Sequence, residues 1–186
     1  MKNRKLILIT LLILCLFGCS AKEKKAQIIN AEMAVRDYGT VKMELYPDVA
    51  PKTVENFVSL AKEGFYDGKF FHRIIDGFMI QGGADFEGKV EKIEGEFASN
   101  GFENNLKHTE GVISMARAND PNSASSQFFI MVGDAPWLDG EYAAFGKVTE
   151  GLDIVKKIAK DARPIDNNGT IPQEEWPVIE YIKIIE

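Results

Sequence analysis

One short segment of the chain concentrates side chains that bind polar and apolar groups together. Between Arg73 and Gln81 the sequence contains a guanidinium, a large aromatic ring, a thioether and a carboxamide. Strand alternation places Met79 and Gln81 on one face, and a hairpin would bring Arg73 beside Gln81. An arginine side chain is a permanent cation with several N–H donors, and it needs no covalent chemistry to act on a nearby electron pair. The segment therefore predicts an apolar pocket with one cation.

A second run of alternating residues adds a further wall to this pocket. In residues 125–130, S-S-Q-F-F-I, alternation turns Gln127 and Phe129 to one face and Phe128 to the other. Aromatic side chains and methionines are more often found in a core than in a site, so Phe128 is predicted to belong to the core. Trp137 and Leu138 follow and supply an apolar lip.

Other catalytic signatures are missing from the sequence. It contains no G-x-S-x-G, phosphate-binding G-x-x-x-x-G-K-[ST], C-x-x-C or H-E-x-x-H motif. Its two histidines, His72 and His108, are more often structural than catalytic in such isolated positions. Residues 166–169, D-N-N-G, resemble the start of a calcium loop, but the twelfth position is Pro177, so we interpret them as a turn. We therefore expect neither a metal site nor a cofactor.

The elements that must position these side chains are mostly short strands. Alternating apolar and polar residues at 41–46 follow a turn at 37–40, which predicts an opening hairpin. Helices are predicted at 51–62 and 152–160. Further strand-like runs are residues 70–75, 78–81, 112–116, 127–132, 143–148 and 178–185. The predicted fold is mainly β, and a closed β-barrel is favoured because closure leaves no exposed sheet edge.

The first 18 residues differ in composition from the rest of the chain. Lys2, Arg4 and Lys5 precede an apolar run of twelve residues, 6–17. A helix of that length spans about 18 Å and a bilayer core about 30 Å, so residues 1–18 are predicted to be a secretory signal peptide and not a permanent anchor. The run ends in L-F-G before Cys19. This resembles the bacterial lipoprotein box and implies a lipid on Cys19.

The chain that would remain after removal of the signal is acidic. It has 168 residues with 19 basic and 28 acidic side chains, a net charge of −9, and nucleic acid is not an expected partner. Cys15 lies in the signal and Cys19 would carry lipid, so no disulfide is expected. Residues 19–31 are predicted to be a lipidated tether and residues 32–186 one folded domain. We expect a monomer anchored at the outer face of a bacterial cell membrane.

A long series of ordered motifs resembles the cyclophilin family of peptidyl-prolyl cis-trans isomerases. The motifs are F-H-R-I-I-D-G-F-M-I-Q-G-G at 71–83, L-K-H-T at 106–109, G-V-I-S-M-A at 111–116, S-Q-F-F-I at 126–130, W-L-D-G at 137–140 and F-G-K-V at 145–148. The resemblance implies a closed eight-stranded antiparallel β-barrel capped by two α-helices, which agrees with the elements predicted above. It also implies an enzyme that accelerates rotation of X-Pro bonds, here in exported proteins.

The resemblance further implies roles for individual side chains. Arg73 matches the catalytic arginine, and Gln81 belongs to the same catalytic group. Together with Gln81, the side chain of Gln127 and the backbone of Arg117 would hold the substrate backbone. The walls of the proline pocket would be Phe78, Met79, Phe129 and Leu138. The small residues and the rim of the groove would be Ala116, Ala118, Trp137 and Tyr142.

Departures from the family pattern affect the expected ligands. Tyr142 stands where many eukaryotic members have a histidine, and a charged stretch at 85–96 replaces a glycine-rich loop. Substrate preference beyond proline is therefore expected to differ. Cyclosporin-binding members have a tryptophan at the pocket lip, where this chain has Trp137, so a cyclic peptide of that type is an expected ligand.

An alternative class is a lipoprotein module that captures proline-containing segments without isomerising them. A pure binder has no need of a donor aimed at the prolyl nitrogen. The combination of Arg73 with Gln81 therefore favours the enzyme, and a proline-limited refolding assay separates the two classes.

Overall fold

The structure is a computed structural model that describes residues 27–185 of the chain. The predicted signal peptide, Cys19 and the first part of the predicted tether lie outside the described residues. The order of elements is β1 (Ile29–Val35), β2 (Gly39–Leu45), α1 (Pro51–Lys62), β3 (Phe71–Ile75), β4 (Met79–Gly82), β5 (Val112–Met115), β6 (Phe128–Met131), β7 (Ala144–Glu150), α2 (Leu152–Asp161) and β8 (Ile179–Ile185). Within residues 27–185, no helix has the length and apolar character needed to cross a membrane.

The opening hairpin forms as the alternation predicts. Strands β1 and β2 pair antiparallel, with Ile29 opposite Leu45 and Val35 opposite Gly39. Every second residue of β2 from Val41 onward is buried, and the residues between them are exposed or half-buried. This period of two is what a strand with one face on a core requires.

Both predicted helices are present and pack their apolar faces on the sheet. Helix α1 begins at Pro51, whose ring suits the first helical turn, and buries Val54, Phe57 and Ala61. Its bounds match the prediction, and α2 ends one residue beyond it, at Asp161. Helix α2 buries Val155 and Ile158.

The N-terminus of α1 is capped from a distant loop. The cap residue Ala50 has no side-chain acceptor, and the carboxylate of Glu96 accepts from the backbone N–H groups of Lys52 at 2.9 Å and Thr53 at 2.8 Å. The Thr53 hydroxyl also donates to Glu96, at 2.7 Å. Glu96 is only 1% exposed. A buried carboxylate thus satisfies the free N–H groups that every helix leaves at its start.

The eight strands form a curled antiparallel sheet, and the predicted closed barrel is wrong. The strand order is β3-β4-β6-β5-β7-β2-β1-β8, so β3 and β8 are the outer strands. The two strands do not pair along their length, and the chain meets at an isolated bridge between Phe70, just before β3, and Val178, just before β8. Beyond that bridge the outer edge of β3 bonds to residues 169–171, through Ile74 N–H to Gly169 O at 2.8 Å and Ile171 N–H to His72 O at 3.0 Å. The segment before β8 therefore occupies the edge that closure would need.

The two faces of the sheet carry separate apolar clusters. The larger cluster lies under the helices and contains Phe57, Phe71 and Phe128, so Phe128 belongs to the core as predicted. The smaller cluster on the other face is built on Met79 and Phe129 and lies under partly buried side chains. The methionines of the described residues are all at most 1% exposed: Met33, Met43, Met79, Met115 and Met131.

Candidate active site

The candidate site begins as one row of side chains across four strands. Arg73 on β3 pairs with Gln81 on β4, Gln81 pairs with Phe129 on β6, and Phe129 pairs with Ser114 on β5. Residues directly opposite each other in antiparallel strands point to the same face. The β3–β4 turn is tight enough to need Gly77, whose φ is 74°. The predicted meeting of Arg73 and Gln81 is confirmed by this register.

The guanidinium of Arg73 has three partners that fix its direction. Its Nη1 donates to the side-chain oxygen of Gln81 at 3.2 Å and lies 3.7 Å from the sulfur of Met79. Its Nε donates to the backbone carbonyl of Asn168 at 2.8 Å. The Gln81 amide in turn donates to the Gln127 side chain at 3.0 Å. Arg73 is therefore held from two sides. Gln127 contributes indirectly, because it fixes the Gln81 side chain that accepts from Arg73.

The contact with Asn168 depends on a turn that sequence reasoning did not connect to the site. The carboxylate of Asp166 accepts from the backbone N–H groups of Asn168 and Thr170, both at 3.0 Å, and from the Thr170 hydroxyl at 2.8 Å. Gly169 has a φ of 84°, and a Cβ there would lie 2.6 Å from the carbonyl of Ile74. The only sequence signal was the D-N-N-G turn itself.

Burial lowers the pKa of Arg73, but the side chain keeps its positive charge. Desolvation lowers the pKa of Arg73, while the neighbouring Tyr142 and Asp166 act to raise it. The ordinary pKa of a guanidinium is so high that the group stays protonated at neutral pH. The cleft therefore contains a partly desolvated, permanently charged donor.

Nine of the predicted site residues line one cleft of about 320 Å³. Its apolar walls come from the smaller cluster, with Met79 and Phe129 at the base and Phe78 and Leu138 packed against them. The full lining is Arg73, Phe78, Met79, Gln81, Ala116, Arg117, Phe129, Leu138 and Tyr142. A larger cleft of about 700 Å³ lies beside α2 and the segment before β8, and none of the predicted residues lines it. The side chains predicted from sequence thus converge on the smaller cleft.

Three predicted residues lie outside this lining. Gln127 reaches the site through its bond to Gln81. Trp137 is 66% exposed, and its ring centroid lies 5.9 Å from that of Phe78. Ala118 has its N–H bonded to the Ser123 hydroxyl at 2.9 Å. Trp137 is therefore a lip residue, whereas Ala118 belongs to a neighbouring turn.

The two histidines stay outside the cleft, and one supports its floor. His108 is 1% exposed and bonds through Nδ1 to the carboxylate of Asp139 at 3.1 Å and through Nε2 to the Ser114 hydroxyl at 3.0 Å. Its ring stacks on Phe129 with centroids 6.1 Å apart. A carboxylate only accepts, so Nδ1 carries the proton and Nε2 accepts from Ser114. His108 is therefore a structural group, and its ring positions that of Phe129.

Burial disfavours the charged form of both histidines. Desolvation lowers the pKa of His108, and the hydrogen bond and charge of Asp139 oppose it in part. Desolvation also lowers the pKa of His72, as does the charge of Arg73. The Nδ1 atom of His72 has no hydrogen-bond partner among residues 27–185.

Within residues 27–185, no three His, Cys, Asp or Glu side chains are grouped as a metal site would require.

The arrangement suits chemistry in which no covalent bond to the protein forms. A fixed guanidinium lies beside the apolar side chains of a cleft of about 320 Å³, and no nucleophile with an adjacent base lines the cleft among the described residues. Such a site can stabilise charge that develops on a bound polar group. The curled antiparallel sheet, the two helices and this cleft agree with the class that the resemblance of the motifs implies, an isomerase that acts without covalent catalysis.

Comparison with known proteins names the family. A sequence model of the family "Cyclophilin type peptidyl-prolyl cis-trans isomerase/CLD" matches residues 30–186. The chain is 42% identical over 159 residues to peptidyl-prolyl cis-trans isomerase B of Escherichia coli, covering 81% of this chain and 96% of that protein. It is 40% identical over 157 residues to peptidyl-prolyl cis-trans isomerase cyp15 of Rhizopus delemar, where it covers 80% of this chain but spans 25% of that protein.

A solved structure agrees with these sequence relatives. The crystal structure of a Cryptosporidium parvum cyclophilin type isomerase in the presence of the dipeptide Ala-Pro has a TM-score of 0.72 and 30% identity to this chain, covering 84% of it and 99% of that protein. The chain belongs to the cyclophilin type peptidyl-prolyl cis-trans isomerase family. Its enzyme class is peptidyl-prolyl cis-trans isomerase.

Proposed function

We propose that this isomerase accelerates X-Pro rotation in exported proteins, and that Arg73 is the donor to the prolyl nitrogen. The observation that carries the assignment of Arg73 is its two-sided fixation beside the apolar wall, with Nε on Asn168 and Nη1 on Gln81. A proline ring would occupy the pocket between Phe129, Met79 and the lip. The Ala-Pro dipeptide in the related crystal structure supports a proline-containing ligand.

The proposed mechanism follows from the electronic structure of the amide. Resonance gives the C–N bond a rotation barrier of about 18–20 kcal/mol, and in the twisted transition state that resonance is lost. The prolyl nitrogen then becomes pyramidal and basic. A guanidinium donor aimed at it binds the transition state more strongly than the planar ground state, which is the condition for catalysis. Arg73, partly desolvated and permanently charged, supplies such a donor.

Arg73 alone would not supply the whole rate enhancement. An acceleration of about five decades needs about 7 kcal/mol, whereas a hydrogen bond to a charged group contributes about 1.5–3 kcal/mol. The remainder is assigned to the pocket, which fixes the ring while the preceding carbonyl rotates, and to exclusion of water from the polar planar amide. Gln81, Gln127 and the backbone at Arg117 would hold the substrate chain during this rotation.

Catalysis by the purified domain tests the proposal against a pure binder. Refolding of a protein limited by prolyl isomerisation should become faster at amounts of domain far below those of the refolding protein. A binder would leave the refolding rate unchanged or lower it. Any decrease would be in proportion to the amount of binder added. Either of these results would refute catalysis by this cleft.

The N-terminal sequence bears on where the protein acts. We propose attachment of the chain to the outer face of a bacterial membrane through a lipid on Cys19, supported by the L-F-G-C sequence after a short apolar run. Stable anchoring takes about two acyl chains. In cell fractionation, the native chain should be found with membranes and a Cys19→Ser variant with cleaved signal in the soluble fraction. Membrane association of the cleaved variant would contradict the lipid anchor.

A further inference from the structure

A second guanidinium lines the cleft beside Tyr142. Arg117 is one of the nine lining residues, and its side chain is only 14% exposed. Its Cζ lies 5.0 Å from the ring centroid of Phe97 and 4.8 Å from that of Tyr142. Two aromatic rings therefore hold this cation in one place, as cation–π contacts do.

The guanidinium of Arg117 is paired with one half-exposed carboxylate and with neutral backbone carbonyls. Its Nε donates to the carbonyl of Glu141 at 3.0 Å, and its Nη1 donates to the carbonyl of Ala118 at 2.9 Å. Both acceptors are neutral. The carboxylate in contact is that of Glu141, 3.5 Å from Nη2, and its side chain is half exposed. The same carboxylate also accepts from the Ser99 hydroxyl at 3.0 Å.

The lining of the cleft is positive although the chain is acidic. Arg73 and Arg117 both line it, and none of its nine lining residues has a carboxylate. The whole chain has a net charge of −6. Near Arg73, the carboxylate of Asp166 is occupied by Thr170 and two backbone N–H groups. Clefts of one sign with low-dielectric walls concentrate ligands of the other sign.

We propose that this cleft selects proline segments with an acidic side chain close to the proline, and that Arg117 is the specificity-determining residue. The inference rests on the proposed function, because it takes the cleft as the peptide site. An acidic side chain of the substrate would approach the Nη2 side of Arg117, where Glu141 is a half-exposed partner at 3.5 Å. The substrate carboxylate would compete with Glu141 for the same donor.

A charge walk along a substrate peptide tests the selection. Peptides with one X-Pro bond should be compared in pairs that have Glu or Gln at each of the three positions before and the two positions after proline. For at least one position, kcat/KM for Glu should exceed that for Gln by about threefold or more at low salt, as for a partly shielded ion pair. The ratio should fall toward one at about 0.5 M salt, since screening weakens it.

Variants assign the selection to Arg117. In Arg117→Gln the Glu/Gln ratio should fall to about one, and in Arg117→Lys part of it should remain. In Glu141→Gln, which keeps Arg117 but removes its competing carboxylate, the ratio should rise. The matched control is Arg163→Gln, because Arg163 likewise donates to backbone carbonyls but lies outside the cleft, after α2. Its ratio should equal that of the native chain.

Three results would overturn the inference. The first is efficient turnover of all peptides with Glu/Gln ratios near one at every position. The second is a ratio that persists in a folded Arg117→Gln variant. The third is an unchanged ratio in Glu141→Gln. This variant decides the question if thermal unfolding shows that Arg117→Gln does not fold. Failure to turn over any peptide would instead refute the proposed function.

Discussion

The guanidinium of Arg73 uses two donors that point in different directions. Nε reaches the carbonyl of Asn168 and Nη1 reaches the side chain of Gln81. A lysine ammonium is a point charge on a flexible stem and cannot reproduce this planar array. The direction of the donor, and not its charge alone, is what the surrounding contacts determine.

Replacement of Arg73 should therefore be costly even when the charge is kept. We expect Arg73→Ala to lower kcat/KM by about 10²–10³, as for loss of one transition-state donor, and Arg73→Lys to lower it nearly as much. Far-ultraviolet circular dichroism should show an unchanged fold, because the side chain is only partly buried. A Lys variant with native activity would show that charge alone is sufficient.

Trp137 offers a residue-scale test of the predicted cyclic peptide ligand. Its ring is 66% exposed beside Phe78, so it is available to an apolar ligand and contributes little to the core. We expect cyclosporin to bind, and Trp137→Ala to weaken binding by about three- to tenfold, the value of one lost aromatic contact. Calorimetry measures the affinity. Phe86→Ala removes a ring that is equally exposed, at 69%, outside the cleft lining, and should bind like the native chain.

At the scale of elements, the turn at 166–170 links the edge of the sheet to the site. Gly169→Ala would place a Cβ 2.6 Å from the carbonyl of Ile74, so the turn must move and displace the Asn168 carbonyl from Arg73. We expect kcat/KM to fall by about tenfold or more. Gly68→Ala is the control, because Gly68 has a similar φ of 75° with open space around it. Equal activities of the two variants would mean that the turn does not position Arg73.

The capping of α1 by Glu96 is a second element that can be tested. We expect Glu96→Gln to lower the free energy of unfolding by about 1–3 kcal/mol, because buried N–H groups lose a charged acceptor. Glu94→Gln is the matched control two residues away, since Glu94 forms only an exposed ion pair with Lys52. Such a pair contributes about 0–1 kcal/mol. Urea unfolding measures both, and similar losses would refute the cap.

Sequence patterns were informative where contacts are local and failed where they are distant. Helix α1 and the β1–β2 hairpin follow from spacing within a dozen residues. Glu96, by contrast, caps a helix about 43 residues earlier in the chain, and nothing in its charged surroundings indicates burial. The closed barrel failed for the same reason. Residues 169–171 form hydrogen bonds with the outer edge of β3, so β8 cannot pair there. These residues lie almost a hundred positions after β3 in the chain.

At the scale of the whole molecule, the buried His108 and the half-buried His72 make the stability depend on pH. Both have a folded-state pKa below the ordinary value, so the unfolded chain binds protons that the folded chain does not. Their stabilisation is complete above about pH 6.5 and is lost as the pH falls below it. Burial would raise the pKa of Asp139, but hydrogen bonds from His108 hold it below its ordinary value, so this carboxylate titrates at lower pH.

We expect the free energy of unfolding to decline between pH 7.5 and 5.5, by at most about 1.4 kcal/mol per pH unit for each histidine. Denaturant unfolding at several pH values measures this slope. His72→Gln with His108→Gln should flatten it, whatever the absolute stability of the double variant. A slope that is already flat in the native chain would contradict the sign of the two shifts.

The burial of every methionine in residues 27–185 has a consequence for oxidation. The cysteines of the chain, Cys15 and Cys19, both precede this region, so its sulfur atoms are all thioethers at most 1% exposed. Sulfoxide formation needs access to the sulfur, so peroxide should attack only when the sheet opens. Met79 is the sensitive position, because its sulfur lies 3.7 Å from Nη1 of Arg73. A sulfoxide there would give Arg73 a polar acceptor in place of the prolyl nitrogen, so a domain oxidised while open should lack an available donor in its cleft after it closes again.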